Sequence, residues 1–302
     1  MKTASAIVRA MRPGQWTKNF FVFAPVMFAN DWHKEGVLLR VVATFAIFCM
    51  LASTIYLLND VADAEADRLH PKKRTRPVAS GELSAAVAVC VAILLASSAL
   101  AWAYLGLASR LVTLAGGVYL VIQVGYTYVL KRVVIVDVLC ISSGFVLRMI
   151  AGADASFVRQ STWILVCTIF LSLFLALCKR RHEVVSLGEG AAAHRAILAD
   201  YPPALLDQLI SAVTACTLVT YTLYTVDPRT ATAHGLVRNG QPMAYLAVTV
   251  PFVVYGVFRY LFLVYRRDGG GSPTSTLVRD VPMLVNGVLY AATVAAVLRF
   301  GH

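Results

Sequence analysis

Charge is what this 302-residue chain has least of: only 14% of its residues are Asp, Glu, Lys or Arg, and its 16 acidic residues are outnumbered by 27 basic ones. A hydrophobic share of 59%, against about 45–50% for soluble domains, excludes an ordinary water-soluble globule. The strict apolar/polar alternation of a transmembrane β-barrel is missing. Metal-ligand spacing is missing too: Cys49, Cys90, Cys140, Cys167, Cys178 and Cys216 sit in or at the ends of apolar runs, so they read as reduced and buried. His182 and His194 have no second ligand at a zinc-like distance. There is no phosphate-cradling glycine loop, because Gly269–Gly271 runs into Ser272-Pro273 and Gly188 and Gly190 stand in a polar stretch. A cleavable leader is also not expected, since the segment from Lys2 to Gln15 is basic and broken by Pro13, and the first span is expected to remain as an anchor.

What is present is a series of apolar stretches about 20 residues long, the length that crosses a bilayer as helix. They begin near Trp16 and continue at 37–58, 84–103, 111–129, 135–152, 162–178, 205–226, 242–264 and 281–298. The expected fold is therefore all-α: a polytopic membrane helical bundle of about nine transmembrane helices forming one integral-membrane domain, 1–302. Residues 1–15 form an amphipathic N-terminal segment, set off by Pro13-Gly14.

Positive charge orients the bundle. With the N-terminus and the loops after spans two, four, six and eight on one side, that side carries 18 Lys and Arg and the other side 7, leaving out Arg148 and Arg259 inside spans. The positive-inside rule makes the richer side cytoplasmic, in a bacterial-type inner membrane. The net charge of +11 needs no nucleic acid to explain it. Anionic membrane lipid and a phosphate-rich substrate are sufficient partners. The sequence leaves a homo-oligomer open.

The densest polar stretch is YLLNDVADAEADRLHPKKRTRPVASG, residues 56–81, which becomes the cytoplasmic active-site loop, 59–81. At about 100° per residue, Asn59, Asp63, Asp67 and Asp60 fall at roughly 0°, 40°, 80° and 100°, one arc of a helix. Carboxylates and an amide oxygen on one face suit Mg²⁺, whose octahedron phosphate oxygens can complete. Lys72, Lys73, Arg74 and Arg76 follow, as a ligand with several phosphates would require. Arg148, costly inside a span, is expected to meet a ligand or another helix, as is Asp137 eleven residues before it. Lys131 and Arg132, after Tyr126, serve phosphate contact or topology. A second cluster, Lys179-Arg180-Arg181-His182-Glu183, follows the sixth span, with Glu183 a candidate metal ligand or partner of an Arg.

Asn59-Asp60-x-x-Asp63-x-x-x-Asp67 resembles the first aspartate-rich motif of the UbiA-type intramembrane transferases. Arg12-Pro13-x-Gln15-Trp16-x-Lys18-Asn19, His70-Pro71-x-Lys73-Arg74-x-Arg76-Pro77 and Lys179-Arg180 are more narrowly similar to the branch of that superfamily that transfers phosphoribosyl groups. Members acting on aromatic acceptors resemble one another in a second aspartate-rich motif after the sixth span, where this chain is basic. The resemblance implies an Mg²⁺-dependent pentosyltransferase with phosphoribosyl diphosphate as donor and a polyprenyl phosphate of decaprenyl type as acceptor, in cell-envelope biosynthesis. Asp60, Asp63 and Asp67 would be catalytic, and with Asn59 would hold the metal. Lys18, Tyr56, Lys73, Arg74, Arg76, Lys131 and Arg148 would bind the donor; Lys179, Arg180, Arg12 and Gln15 would bind the acceptor phosphate. Two other readings stay open: transfer of a prenyl chain from prenyl diphosphate to an aromatic acceptor, and a transporter or lipid-binding membrane protein that binds without turnover.

Overall fold

The computed structural model describes residues 2–27, 34–71, 73–158, 161–187, 196–266 and 279–301. Lys72, His194 and the glycines at 188, 190 and 269–271 lie outside them. Among the described residues eight helices are long and apolar enough to cross a membrane: 37–62, 85–106, 110–128, 136–155, 162–186, 203–226, 245–266 and 281–300. Each overlays an expected span. The ninth, expected from Trp16, is instead a 3-10 segment, Pro13–Phe23, followed by one turn of α-helix, Ala24–Met27. Pro13 stands at its first helical position. Arg12 before it is left-handed at φ 52°, so the chain turns sharply after the amphipathic helix α1 (Lys2–Met11).

The chain forms two compact units, residues 1–131 with 143–159, and residues 132–142 with 160–302. In the first, the central element is α3 (Val37–Ala62). Most of its faces are covered: Val41, Ile47, Phe48, Leu51 and Ile55 pack with Val22, Ala99, Ala103, Val112, Tyr119 and Ala151. The neighbouring helix α5 (Ala85–Ala101), N-capped by Ser84, turns a stripe of small residues, Ala88, Ala92 and Ala99, inward. Its other face exposes Ile93, Leu94 and, in the π turn beyond it, Leu105. A helix apolar all round, with large side chains facing outward, is one solvated by lipid. Helix α6 (Arg110–Tyr128) is capped by Ser109 in the same way.

The 3-10 segment docks on α7 (Val136–Ala155), whose residues from 143 onward belong to this unit. Gly152 makes that approach possible, since a β-carbon there would lie 2.0 Å from the Val22 carbonyl oxygen. Close backbone contact of this kind is the use glycine has inside a membrane helix.

In the second unit α8 (Thr162–Leu187) packs along α9 (Pro203–Val226), and the core runs through Phe174, Leu206, Ile210, Val257 and Tyr260. A one-turn-and-a-half helix α10 (Pro228–Ala233) and a two-residue hairpin, β1 (Val237–Arg238) with β2 (Gln241–Pro242), lead into α11 (Val250–Arg266). Asp280 caps α12 (Val281–Phe300) and receives Arg259 at 2.9 Å, so this intramembrane arginine is neutralised.

Gly152→Ala is expected to weaken the fold by about 1–3 kcal/mol, the usual cost of overpacking. Gly117→Ala, with nothing within 4 Å of the added carbon, should leave the unfolding midpoint in detergent unchanged. Comparing the two variants by thermal unfolding checks the docking contact.

Candidate active site

The aspartate stretch spans a break in the helix. Helix α3 ends at Ala62, Asp63 takes φ −98° and ψ 5°, and a short helix α4 (Ala64–Leu69) starts anew. The change of direction divides the arc that an unbroken helix would have made. Asp60 and Asp67 turn inward, 1% and 3% exposed, and Arg76 joins them, its Nη1 lying 2.5 Å from Asp67 Oδ2 and 3.6 Å from Asp60 Oδ1. Arg12 donates a hydrogen bond to Asp60 Oδ1 and stacks over the Tyr56 ring at 5.1 Å. Asp63 stands apart with its side chain 37% exposed, accepting from Lys131 Nζ at 2.7 Å.

Three carboxylates thus meet three cations, Arg12, Arg76 and Lys131. Among the described residues no three His, Cys, Asp or Glu side chains converge as a ready metal cage. Yet the arrangement has open valences: Asp60 Oδ2 is buried without a hydrogen-bond partner among the described residues. Such an orphan acceptor costs about 1–3 kcal/mol, or more for a charged group, and a bound cation is one way to offset that cost. The Asn59 side chain, half-buried one residue earlier, takes no hydrogen bond among the described residues. Hard oxygen donors from Asp60, Asn59 and the accessible Asp63 fit a magnesium ion that keeps substrate oxygens in its shell.

Around these acids the cations differ in their freedom. Lys73, half-buried, and Arg74, exposed, have no ionic partner among the described residues. Gln15 and Lys18 are exposed on the 3-10 segment, which two contacts hold in place: Trp16 Nε1 donates to Ser53 Oγ at 3.1 Å, and the fully buried Asn19 donates through Nδ2 to Cys49 Sγ. Asn19 Oδ1 in turn accepts from Arg148 Nε at 2.7 Å. The remaining nitrogens of Arg148 reach the Gly144 carbonyl at 2.6 Å and the Tyr119 hydroxyl at 3.2 Å, and its guanidinium lies 4.7 Å from the Tyr119 ring centroid. With every nitrogen engaged, Arg148 orients the segment that carries Arg12 and Lys18. Asn19 was visible in sequence only as part of a motif; nothing in its spacing announced an arginine partner 129 residues away.

The basic cluster after the sixth span is part of the second unit. Arg180 is 1% exposed, with Nε donating to Asp137 Oδ2 at 2.7 Å and Nη1 donating to Glu183. Tyr201 donates its hydroxyl to the other Asp137 oxygen and accepts the N–H of Ile135, both at 2.7 Å. Ile135 is held at φ 69°, a conformation strained for a β-branched residue. Burial first, then the hydrogen bond to Asp137, pushes the Tyr201 hydroxyl up from its usual pKa, so it stays a proton donor. Lys179, its side chain 43% exposed and 3.7 Å from Glu183, is the cluster's accessible cation beside the buried Arg180. Asp137 stood out in sequence as an acid in an apolar run, whereas Tyr201 carried no signal.

The UbiA prenyltransferase family matches residues 19–277. The chain is 32% identical to a decaprenyl-phosphate phosphoribosyltransferase of Mycolicibacterium smegmatis over 98% of its own length and 93% of the relative's. It is 33% identical to the protein of the same name in Corynebacterium glutamicum, covering 92% of this chain and 82% of that one. In fold it is similar to a UbiA homolog from Archaeoglobus fulgidus bound to GPP and Mg²⁺, with a TM-score of 0.71 at 19% identity over 97% of this chain and 99% of the other.

Asp137→Ala should cost about 3–5 kcal/mol of stability, because it strands the buried Arg180 charge. Tyr201→Phe removes two hydrogen bonds and leaves Arg180 paired with Asp137, so it should cost less, about 1–3 kcal/mol. Unfolding of both variants in detergent checks the order; equal losses would contradict the buried pair.

Proposed function

We propose that this chain, which belongs to the UbiA prenyltransferase family, transfers a 5-phosphoribosyl group from phosphoribosyl diphosphate to a polyprenyl phosphate and releases diphosphate. The observation that carries the reading is Asp60 Oδ2, without a partner among the described residues, beside paired aspartates, with the cations Lys73 and Arg74, uncommitted among the same residues, on the same loop. Its relatives' names support the two substrates. The second, basic cluster supports an anionic acceptor over an aromatic one.

Asn59, Asp60 and Asp63, with Asp67 behind them, would hold Mg²⁺. Bound there, the ion would neutralise the diphosphate leaving group and favour its departure. Lys73 and Arg74 would take phosphate oxygens of the donor. Arg12 and Lys131, now neutralised by Asp60 and Asp63, carry donor N–H groups that can pass from carboxylate to phosphate, so each charge keeps a partner as substrate enters. Tyr56, beneath the Arg12 guanidinium, would line the ribose. Arg76 keeps Asp60 and Asp67 together, and Arg148 keeps the 3-10 segment in place, both as positioning residues.

In the reaction the anomeric C–O bond breaks with its electron pair leaving on the diphosphate, and an oxygen of the polyprenyl phosphate forms the new C–O bond. The acceptor is already ionised at neutral pH, so no general base is needed. Lys179 would hold its phosphate, while Arg180 supports Lys179 through Glu183. Both compact units would act as one transferase domain in a bacterial inner membrane, with the 59–81 loop facing the cytoplasm.

Incubating the purified protein with labelled phosphoribosyl diphosphate or labelled prenyl diphosphate tests the reading. Label should enter polyprenyl phosphate from the first donor, in an Mg²⁺-dependent way, and not an aromatic acceptor from the second; binding without diphosphate release would point to a carrier. Asp63→Asn should lower turnover more than about tenfold in folded protein. Lys179→Gln should raise the KM for polyprenyl phosphate about tenfold, as loss of one charged hydrogen bond does, and leave the donor's KM unmoved.

A further inference from the structure

A cavity of about 550 Å³, within the usual range of about 300–1,000 Å³ for small-ligand sites, lies in the second unit between α9 and α11. Ile210, Thr214 and Leu218 line one side, and Phe258, Phe262 and Tyr265 the other. The three aromatic side chains are 53%, 45% and 45% exposed. The groove's hydroxyls are already spent: Ser211 Oγ donates to the Asp207 carbonyl at 2.9 Å and Thr214 Oγ1 to the Ile210 carbonyl at 2.7 Å. Its walls therefore offer hydrocarbon contact and no polar recognition along their length.

One end differs. Tyr265 gives its hydroxyl to Asp207 Oδ1 at 2.7 Å, and Arg181 donates its Nε to the same oxygen at 2.6 Å while its guanidinium lies 3.7 Å above the Tyr265 ring centroid. Stacking on the ring and pairing through Nε fix the plane of the guanidinium and leave Nη1 and Nη2 with no hydrogen bond among the described residues. Arg266, exposed at the last residue of α11, adds a second cation with no partner among them. Among the described residues Asp207 offsets one of these charges, so the end of the groove stays net positive. From Ile210 to Leu218 the groove runs about 12 Å at 1.5 Å per residue, close to the depth of one leaflet, half of a hydrocarbon core about 30 Å thick.

We propose that this groove is a binding site for an anionic membrane phospholipid, separate from the transferase site. One acyl chain lies along Thr214, Leu218 and Phe258, and the phosphodiester accepts hydrogen bonds from Arg181 Nη1 and Nη2 and from Arg266. A fully apolar ligand would leave these donors unused, and a soluble phosphate would leave the groove empty. Charge at one end of a hydrocarbon channel of leaflet depth selects a lipid with a net negative headgroup.

The test uses the full-length protein in detergent, with phosphatidylglycerol and phosphatidylethanolamine of identical acyl chains added at equal concentration and retention read by native mass spectrometry. Wild type should retain phosphatidylglycerol about tenfold better, the effect of a charged hydrogen bond. Arg181→Gln and, independently, Arg266→Gln should reduce that preference, and Ala215→Trp, which fills the groove from an exposed position, should lower retention of both lipids. Equal retention of the two lipids by wild type, or a preference that survives all three variants, would overturn the proposal. Displacement of phosphatidylglycerol by added polyprenyl phosphate would overturn it as well, because the groove would then belong to the acceptor's path.

Discussion

Local neutralisation of charge in a low-dielectric setting is the constraint on which the rest of this structure depends. A lone ionised carboxylate at the end of a membrane-spanning helix would be too costly to keep, and Asp60 is tolerated because Arg12 and Arg76 converge on one of its oxygens. Satisfying that oxygen requires the chain before α3 to turn back and the loop after α4 to fold under it. The left-handed Arg12, the Pro13 start of the 3-10 segment and the close packing of Val78 and Leu83 beneath α1 all follow from bringing those two arginines to one point. The same rule governs the second unit, where Asp137, Arg180 and Glu183 compensate one another.

The membrane helices were legible because apolar length is a strong signal, and eight of the expected spans carry through with ends within a few residues, apart from the longer C-terminal extensions of α3 and α8. The first expected span differs in its winding for a local reason. Pro13 and the demand of Gly152 for close backbone contact favour a tight 3-10 winding over residues 13–23 that apolar content alone does not reveal. In the candidate site the residue types were readable and the pairing was not. A helical wheel assumes continuity through Asp63, and the break there sends its carboxylate to Lys131 while Asp67 shares Arg76 with Asp60. Arg148 and Asp137 were conspicuous as ions in apolar runs, yet their partners Asn19 and Tyr201 lie 129 and 64 positions away, distances over which one sequence carries no pairing information.

The two basic clusters, alike in composition, are built for different work. Around residue 76 the cations neutralise acids but, among the described residues, neighbouring ones stay uncommitted and an acceptor oxygen is left open. Around residue 180 the guanidinium is sealed between carboxylates, and the strain at Ile135 is held by a tyrosine hydroxyl. The first arrangement can exchange partners when a charged ligand arrives. The second holds its geometry, and what it presents outward is Lys179.

The contact between Asn19 and Arg148 also bears on how the protein is made. The two residues are separated by 129 positions, so on a ribosome adding about 5–20 residues per second the arginine follows the asparagine by roughly 6–26 s. During that interval the N-terminal segment has neither Arg148 nor Gly152 to dock against, although Tyr56 and Asp60, the partners of Arg12, are made early in it. The segment that carries one wall of the site is therefore synthesised well before the residues that hold it, and nascent chains interrupted before residue 148 should remain open to protease at residues 13–23.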